Sequence, residues 1–153
     1  MTEIEAELSA VAEDFALLDD WQERYGHLIE LGRALPPLSP HEYDDAYRVR
    51  GCASQVWLVS EADGERLRFR GDSDAHIVKG LIALLLRLHS GRRPEEVLAF
   101  DAKAGLARLG LSEALTSQRA NGLASMVERI RRDAQAAEEA RAHGADPSLS
   151  GTP

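Results

Sequence analysis

The sequence predicts a single α+β domain, in which a small antiparallel sheet of three strands packs against helices on one side. Apolar residues recur at helical spacing near both ends of the chain. A hairpin pattern lies between them, and an almost entirely apolar helix follows the hairpin. The length of 153 residues corresponds to one domain with enough chain to bury a substantial core.

Two helices are predicted at the N-terminal end. The apolar face of the first is formed by Ile4, Leu8, Val11, Phe15 and Leu18. Asp19 and Asp20 then offer a cap for a second helix, which starts at Trp21 and continues to Gly32. The following segment, LPPLSP, ends this helix because proline cannot continue the helical hydrogen bonding.

The sheet is predicted in the middle of the chain. Residues 55–59, QVWLV, are rich in β-branched and aromatic side chains, and residues 62–64 offer a hairpin turn. In residues 66–70, RLRFR, apolar residues alternate with arginines. A third strand is expected at 47–50. The alternation places three arginines on one face: Arg66, Arg68 and Arg70. We interpret that face as solvated surface in preference to a binding patch.

A buried helix is predicted directly after the sheet. Its sequence, HIVKGLIALLLRLH, is apolar almost all round, which is typical of the centre of a fold. Asp72, Ser73 or Asp74 could each cap its first turn.

The rest of the chain is predicted to be helical up to a polar tail. Short helices are expected at 94–100 and 102–109. A long helix begins near Ser117, with a buried stripe of Leu123, Met126, Val127 and Ile130. Residues 1–142 therefore form the domain, and residues 143–153, HGADPSLSGTP, form a disordered tail.

Composition excludes several classes of function. The net charge of −8 argues against nucleic-acid binding, which needs a basic surface. The longest apolar run, 80–86, is too short to span a membrane, and the acidic N-terminus does not resemble an export signal. A lone cysteine and five histidines without ligand spacing predict no metal site. The same lone cysteine, which forms no internal disulfide, fits a reducing cytoplasm.

The lone cysteine, Cys52, is the principal candidate for chemistry. A single buried cysteine is often an inert small apolar residue. Here the local sequence, RVRGCASQVW, favours a reactive thiol: Gly51 gives backbone freedom, and Ala53 and Ser54 are small. The flanking arginines would lower the pKa of the thiol. No catalytic base is evident beside it, which suits thiol exchange better than hydrolysis.

The segment GCASQVW at 51–57 resembles the active-site signature of the SufE family, the sulfur acceptors of cysteine desulfurases in iron–sulfur cluster assembly. Three further segments resemble family motifs: WQERYGHLIELGRALPPL, GDSDAHIVKGLIALLL and LTSQRANGLASM. The resemblance extends over residues 15–132 in the same order. It departs at Ser117, where relatives often have proline, but serine is also a good helix start.

The resemblance implies site residues. Cys52 matches the sulfur-accepting cysteine, Asp74 an acidic position beside the cysteine loop, and Arg119 an arginine that approaches the same loop. Arg119 would either stabilise the thiolate or persulfide or simply link helix to sheet, whereas Asp74 would cap a helix or hold the loop. Ser54 and Gln55 are expected to fix the loop through backbone hydrogen bonds.

The function implied is transfer of sulfur from a SufS- or CsdA-like desulfurase, which uses pyridoxal phosphate, onto Cys52. The chain needs no cofactor of its own and no turnover of its own, and an iron–sulfur scaffold complex would receive the sulfur. It is expected to be a monomer or weak homodimer. Two alternatives stay open. The chain could be an iron–sulfur scaffold, although clusters take several thiolate ligands and this chain has one. It could also be a non-catalytic adaptor that regulates a desulfurase. At rest, we expect the loop to hold the thiol against apolar surface until a partner draws it out.

Overall fold

The structure, a computed structural model, describes residues 2–111 and 114–144. The α+β class is confirmed. In chain order the elements are α1 (Glu3–Ala16), α2 (Trp21–Arg33), β1 (Val56–Asp63), β2 (Arg66–Ser73), α3 (His76–His89), α4 (Pro94–Ala99), α5 (Ala102–Ala107) and α6 (Ser117–Gly144). Two 3₁₀ turns, Pro40–Glu42 and Asp45–Tyr47, precede β1.

The first two helices form as the sequence predicts. Four of the five predicted apolar residues of α1 are buried, and Leu18 lies just beyond its end against the core. Asp20 caps α2, because its side chain accepts a hydrogen bond from the Glu23 N–H at 2.9 Å. The helix ends at Arg33, before the prolines.

The sheet has two strands in the described residues, so the prediction of three strands is wrong. β1 and β2 form an antiparallel hairpin joined by Gly64 and Glu65, and the φ of +62° at Gly64 suits glycine. The expected third strand at 47–50 makes one isolated bridge, between Arg48 and Trp57. It leaves the sheet there because the chain turns at Gly51, which has a φ of +87°.

The arginine face of the sheet is a network of ion pairs. Arg66 contacts Glu3 at 3.0 Å and Arg68 contacts Asp63 at 2.6 Å. Arg70 binds Glu61 at 2.7 Å and also Glu42, whose pKa it lowers to about 2 through hydrogen bonds and charge. Each of the three arginines therefore has a carboxylate partner, which agrees with the interpretation of a solvated face.

Helix α3 is the centre of the core. Ten of its residues are buried: Ile77, Val78, Gly80, Leu81, Ile82, Leu84, Leu85, Leu86, Leu88 and His89. The predicted side-chain cap is absent from its described N-terminus, because Ala75 occupies the N-cap position. The capping prediction for Asp72, Ser73 and Asp74 is therefore wrong: Asp74 instead accepts a hydrogen bond from the Gln55 backbone.

The remaining helices also match their predictions in order and place. In α6, Leu123, Met126 and Ile130 are buried and Val127 is partly buried. Helix α6 continues through Gly144, and residues 145–153 of the predicted tail lie outside the described residues. Within the described ranges, no helix is both long and apolar enough to cross a bilayer.

Helices α2 and α3 approach each other through glycines. A Cβ atom on Gly32 would lie 2.7 Å from the backbone nitrogen of Gly80. One on Gly80 would overlap the carbonyl group of Leu28. Because backbone cannot move aside as a flexible side chain does, the spacing of the two helices depends on these glycines.

We predict that Gly80→Ala lowers the free energy of unfolding by about 1–3 kcal/mol, since an added methyl group must push α2 away. Gly26→Ala in α2 is the matched control: a Cβ there has no atom within 4 Å. That change should raise stability by up to about 1 kcal/mol through helix propensity. Urea unfolding measures both, and equal effects of the two changes would contradict the prediction.

Candidate functional site

The cysteine loop, residues 50–54, projects from the start of β1 towards the first turns of α6. The Cys52 side chain is half-buried, and its Sγ lies 3.5 Å from the carbonyl oxygen of Gly122, to which the thiol donates. The φ of +87° at Gly51 turns the chain into this position. Glycine adopts that conformation without strain, whereas other residues rarely do.

Small residues on α6 allow the loop to lie directly on the helix. A Cβ atom on Gly122 would be 3.4 Å from the Cys52 Sγ, so glycine leaves the thiol its space. On the other side, a Cβ atom on Gly51 would lie 2.5 Å from the hydroxyl oxygen of Ser125. Gly51 is therefore favoured by its conformation, and a side chain there would also displace the Ser125 hydroxyl.

The C-terminal end of the loop is anchored at Gln55. Its N–H donates to Asp74 Oδ1 at 3.0 Å, and its carbonyl oxygen accepts from the Ser73 hydroxyl at 2.7 Å. The Asp74 N–H donates to the same carbonyl oxygen at 3.3 Å. The backbone of Gln55 is thus fixed to the turn between β2 and α3.

Arg129 of α6 holds the structure on both sides of the loop. Its guanidinium donates to the carbonyl oxygens of Arg48 at 3.3 Å and Leu58 at 3.4 Å. Asp133, one helical turn later, pairs with Arg129 Nε at 3.3 Å and orients it. Arg129 was not predicted from the sequence. The available signal was that Gly122, Ser125 and Arg129 lie on one face of the long helix.

A cavity of about 510 Å³ opens beside the thiol. Its apolar wall comes from the start of α3, with Ile77, Val78 and Leu81, and from Met126 of α6. Its polar rim comes from the start of α6. Cys52, Ser54 and Arg119 all line this cavity, so the structure brings three of the sequence-predicted site residues together.

Arg119 does not bridge to the sheet in the described contacts. Its guanidinium donates to the carbonyl oxygen of Ala114 at 3.3 Å, and its backbone N–H donates to the Thr116 hydroxyl at 3.3 Å. Both partners precede α6, so these bonds fix the arginine at the rim of the cavity. The expectation of a helix-to-sheet link is therefore wrong.

Burial and charge act on Cys52 in opposite directions. Loss of solvent raises the pKa of the Cys52 thiol, because a buried thiolate lacks hydration. The positive charge of Arg48 lowers it by less than burial raises it. The resting thiol is therefore protonated to a greater extent than a free cysteine at the same pH. No group of three or more metal-binding side chains is found within residues 2–111 and 114–144.

Comparison with known proteins identifies the family. The profile described as "SufE: Fe-S metabolism associated domain" matches residues 9–134. The chain belongs to the SufE family. This membership associates it with iron–sulfur metabolism and confirms the resemblance seen in the sequence.

Relatives and a solved structure agree with this assignment. An uncharacterized SufE-like protein of Rhizobium etli is 48% identical over 134 residues, covering 85% of this chain and 90% of the relative. A second uncharacterized SufE-like protein, from Rhizobium meliloti, is 47% identical over 132 residues, covering 84% of this chain and 94% of the relative. The solution structure of a hypothetical protein from Thermus thermophilus is similar, with a TM-score of 0.72 and 26% identity. The match covers 87% of this chain and 96% of the Thermus protein chain.

We predict that Asp74→Ala speeds alkylation of Cys52 by iodoacetamide. The change removes the acceptor of the Gln55 N–H, a bond worth about 1 kcal/mol, so the rate should rise up to about fivefold. Asp74→Asn keeps a side-chain oxygen and is the matched control. Asp74→Arg should act like the alanine variant. If the alanine and arginine variants react at the wild-type rate, Asp74 does not hold the loop.

We predict that the alkylation rate of Cys52 rises with pH around a midpoint above that of cysteine in a short uncharged peptide with blocked ends. The reason is that burial raises the pKa, so the thiolate forms only at higher pH. Arg48→Gln removes the charge that lowers the pKa and should move the midpoint further up. Arg68→Gln, at the distant end of the hairpin, should leave it in place. A wild-type midpoint below the reference thiol would contradict this.

Proposed function

We propose that the chain accepts sulfur from a cysteine desulfurase on Cys52, stimulates that enzyme and passes the sulfur to iron–sulfur cluster assembly. In the accepting step the Cys52 thiolate attacks the outer sulfur of the desulfurase persulfide. A new S–S bond forms on Cys52 as the old one breaks, and the donor cysteine leaves as a thiolate. Sulfur changes carriers without net oxidation, so the chain requires no cofactor of its own.

One observation supports this proposal most: the lone cysteine lies on a glycine-hinged loop at the edge of a cavity. At about 510 Å³, the cavity has ample room for one added sulfur atom. Its apolar wall would protect a persulfide from oxidants in solution. A chain with one cysteine also has no second thiol with which that persulfide could form an internal disulfide.

The loop has to leave this position to reach the active site of a partner. Gly51 is the hinge, and Gln55, bound to Asp74, is the fixed end. Moving the thiol out of the cavity removes the burial that raises its pKa, so the nucleophile forms where it is needed. The partner favours the outward position through contacts that exist only there. Arg119 lines the same cavity and would donate to the persulfide when it returns.

The partners follow from this chemistry. The sulfur donor is a pyridoxal-phosphate desulfurase of the SufS or CsdA type, and the recipient is an iron–sulfur scaffold complex in the cytoplasm. Because the sulfur passes through one thiol, the chain acts as a monomer or weak homodimer. A scaffold role for the chain itself would require ligands from elsewhere, since clusters take several thiolates and this chain has one.

We predict that incubation with a SufS-like desulfurase and cysteine adds about 32 Da, one sulfur, to Cys52. A reductant should remove the added mass, because the new bond is S–S. Intact-protein mass spectrometry measures the adduct, and peptide mapping locates it. Cysteine without the desulfurase should leave the mass unchanged.

Cys52→Ser is the control that separates a carrier from an adaptor. It should take up no sulfur and should not increase sulfide production by the desulfurase under reductant. If it stimulates as strongly as the wild type, the chain regulates by binding alone. If the wild type takes up no sulfur from any desulfurase of either type, the carrier function is wrong.

A further inference from the structure

Two arginines near the cysteine loop differ from those of the hairpin in their partners. On the hairpin, Arg66, Arg68 and Arg70 are all paired with carboxylates. Within residues 2–111 and 114–144, by contrast, Arg50 and Arg132 have no carboxylate oxygen within 4.0 Å. Nine of the sixteen arginines pair with a carboxylate, and among the other seven only Arg50 and Arg132 line a groove together in the part of the chain that the structure describes.

These two arginines form the sides of a groove next to the loop. The groove measures about 190 Å³ and is lined by Val49, Arg50, Ser125, Glu128, Arg129 and Arg132. Its wall includes Ser125, whose hydroxyl touches the Gly51 hinge, and Arg129, which holds both sides of the loop. The groove and the thiol cavity therefore lie on opposite sides of the same short loop.

The charges in the groove define what can bind there. Arg129 is paired with Asp133, which leaves Arg50 and Arg132 against the single carboxylate of Glu128. One positive charge is in excess. A guanidinium recognises a carboxylate through paired, parallel hydrogen bonds. The volume of the groove and its one excess positive charge both fit a single acidic side chain. An extended polyanion would be repelled by the carboxylate of Glu128.

We propose that this groove receives an aspartate or glutamate side chain of the sulfur donor and so docks it beside the Gly51 hinge. The inference rests on the proposed function, whose partner it describes. The donor's carboxylate would lie in the groove that Arg50 and Arg132 line. Because the whole chain has a net charge of −8, an acidic donor surface is repelled elsewhere and attracted here. Binding in the groove would thus orient the two proteins so that the cysteine loop faces the donor.

The test is a charge reversal at both arginines, Arg50→Glu with Arg132→Glu, assayed with a SufS-like desulfurase. We expect the concentration of chain that gives half-maximal stimulation to rise at least about tenfold at low salt, since like charges then face each other. The neutral pair, Arg50→Gln with Arg132→Gln, should give a smaller rise. For the wild type, raising the salt from 50 to 300 mM should weaken the stimulation at a fixed low concentration of chain, because salt screens the attraction.

The matched control is Lys103→Glu with Arg108→Glu, which changes the net charge by the same amount. Both residues are exposed, and neither lines the groove or the thiol cavity. If this control weakens stimulation as much as the groove reversal, the effect is one of overall charge and the inference is wrong. It is also wrong if the reversal lowers only the maximal stimulation. Failure of the wild type to take up sulfur would instead reject the proposed function, so the two failures are distinguishable.

Discussion

The burial of α3 is the constraint on which both the fold and the site depend. This helix packs against β2 on one side and α2 on another, and Gly32 and Gly80 bring α2 and α3 into backbone contact. Its first turns also form the apolar wall of the thiol cavity. The turn that leads into α3 contains Asp74, which anchors Gln55. The core thus fixes the chain at the Gln55 end of the cysteine loop.

Helix α6 supplies the opposing surface, and one of its faces serves three purposes. Gly122 makes space for the thiol, Ser125 meets the Gly51 hinge, and Arg129 holds the chain before and after the loop. The two hydrogen bonds of Arg129 are each worth on the order of 1 kcal/mol and fix the chain on both sides of the loop. Under the proposed function, a resting loop held by a few kcal/mol would have an open state populated at about 0.1–10%, a range that a binding partner can shift. A loop held more tightly would protect the thiol but could not present it to a partner.

The features that depend on residues close together in the sequence could be predicted from it. The helices, the hairpin and Cys52 follow from periodicity, turn chemistry and one isolated thiol. The contacts that place the thiol do not, because they join residues far apart: Cys52 and Gly122 are 70 positions apart, and Arg129 lies 81 from Arg48. The contact of Asp74 could not be predicted for the same reason. Its position suits a helix cap, but the Gln55 N–H, which competes for the same oxygen, comes from 19 residues earlier. The segment 47–50 has strand-like residues, and only the turn at Gly51 ends its pairing.

A sulfur carrier has to be unreactive in solution and reactive in one foreign active site, and these requirements conflict if the pKa of the thiol is fixed. Each unit by which the pKa of a thiol exceeds the ambient pH lowers its thiolate fraction nearly tenfold. In this chain burial raises the pKa of the resting Cys52 thiol, and the positive charge of Arg48, which lies just before the loop, opposes that effect. If the loop opens as the proposed function requires, the burial would be lost, whereas the arginine would still be close in sequence. The movement that exposes Cys52 would then also raise its thiolate fraction, without a separate activating base.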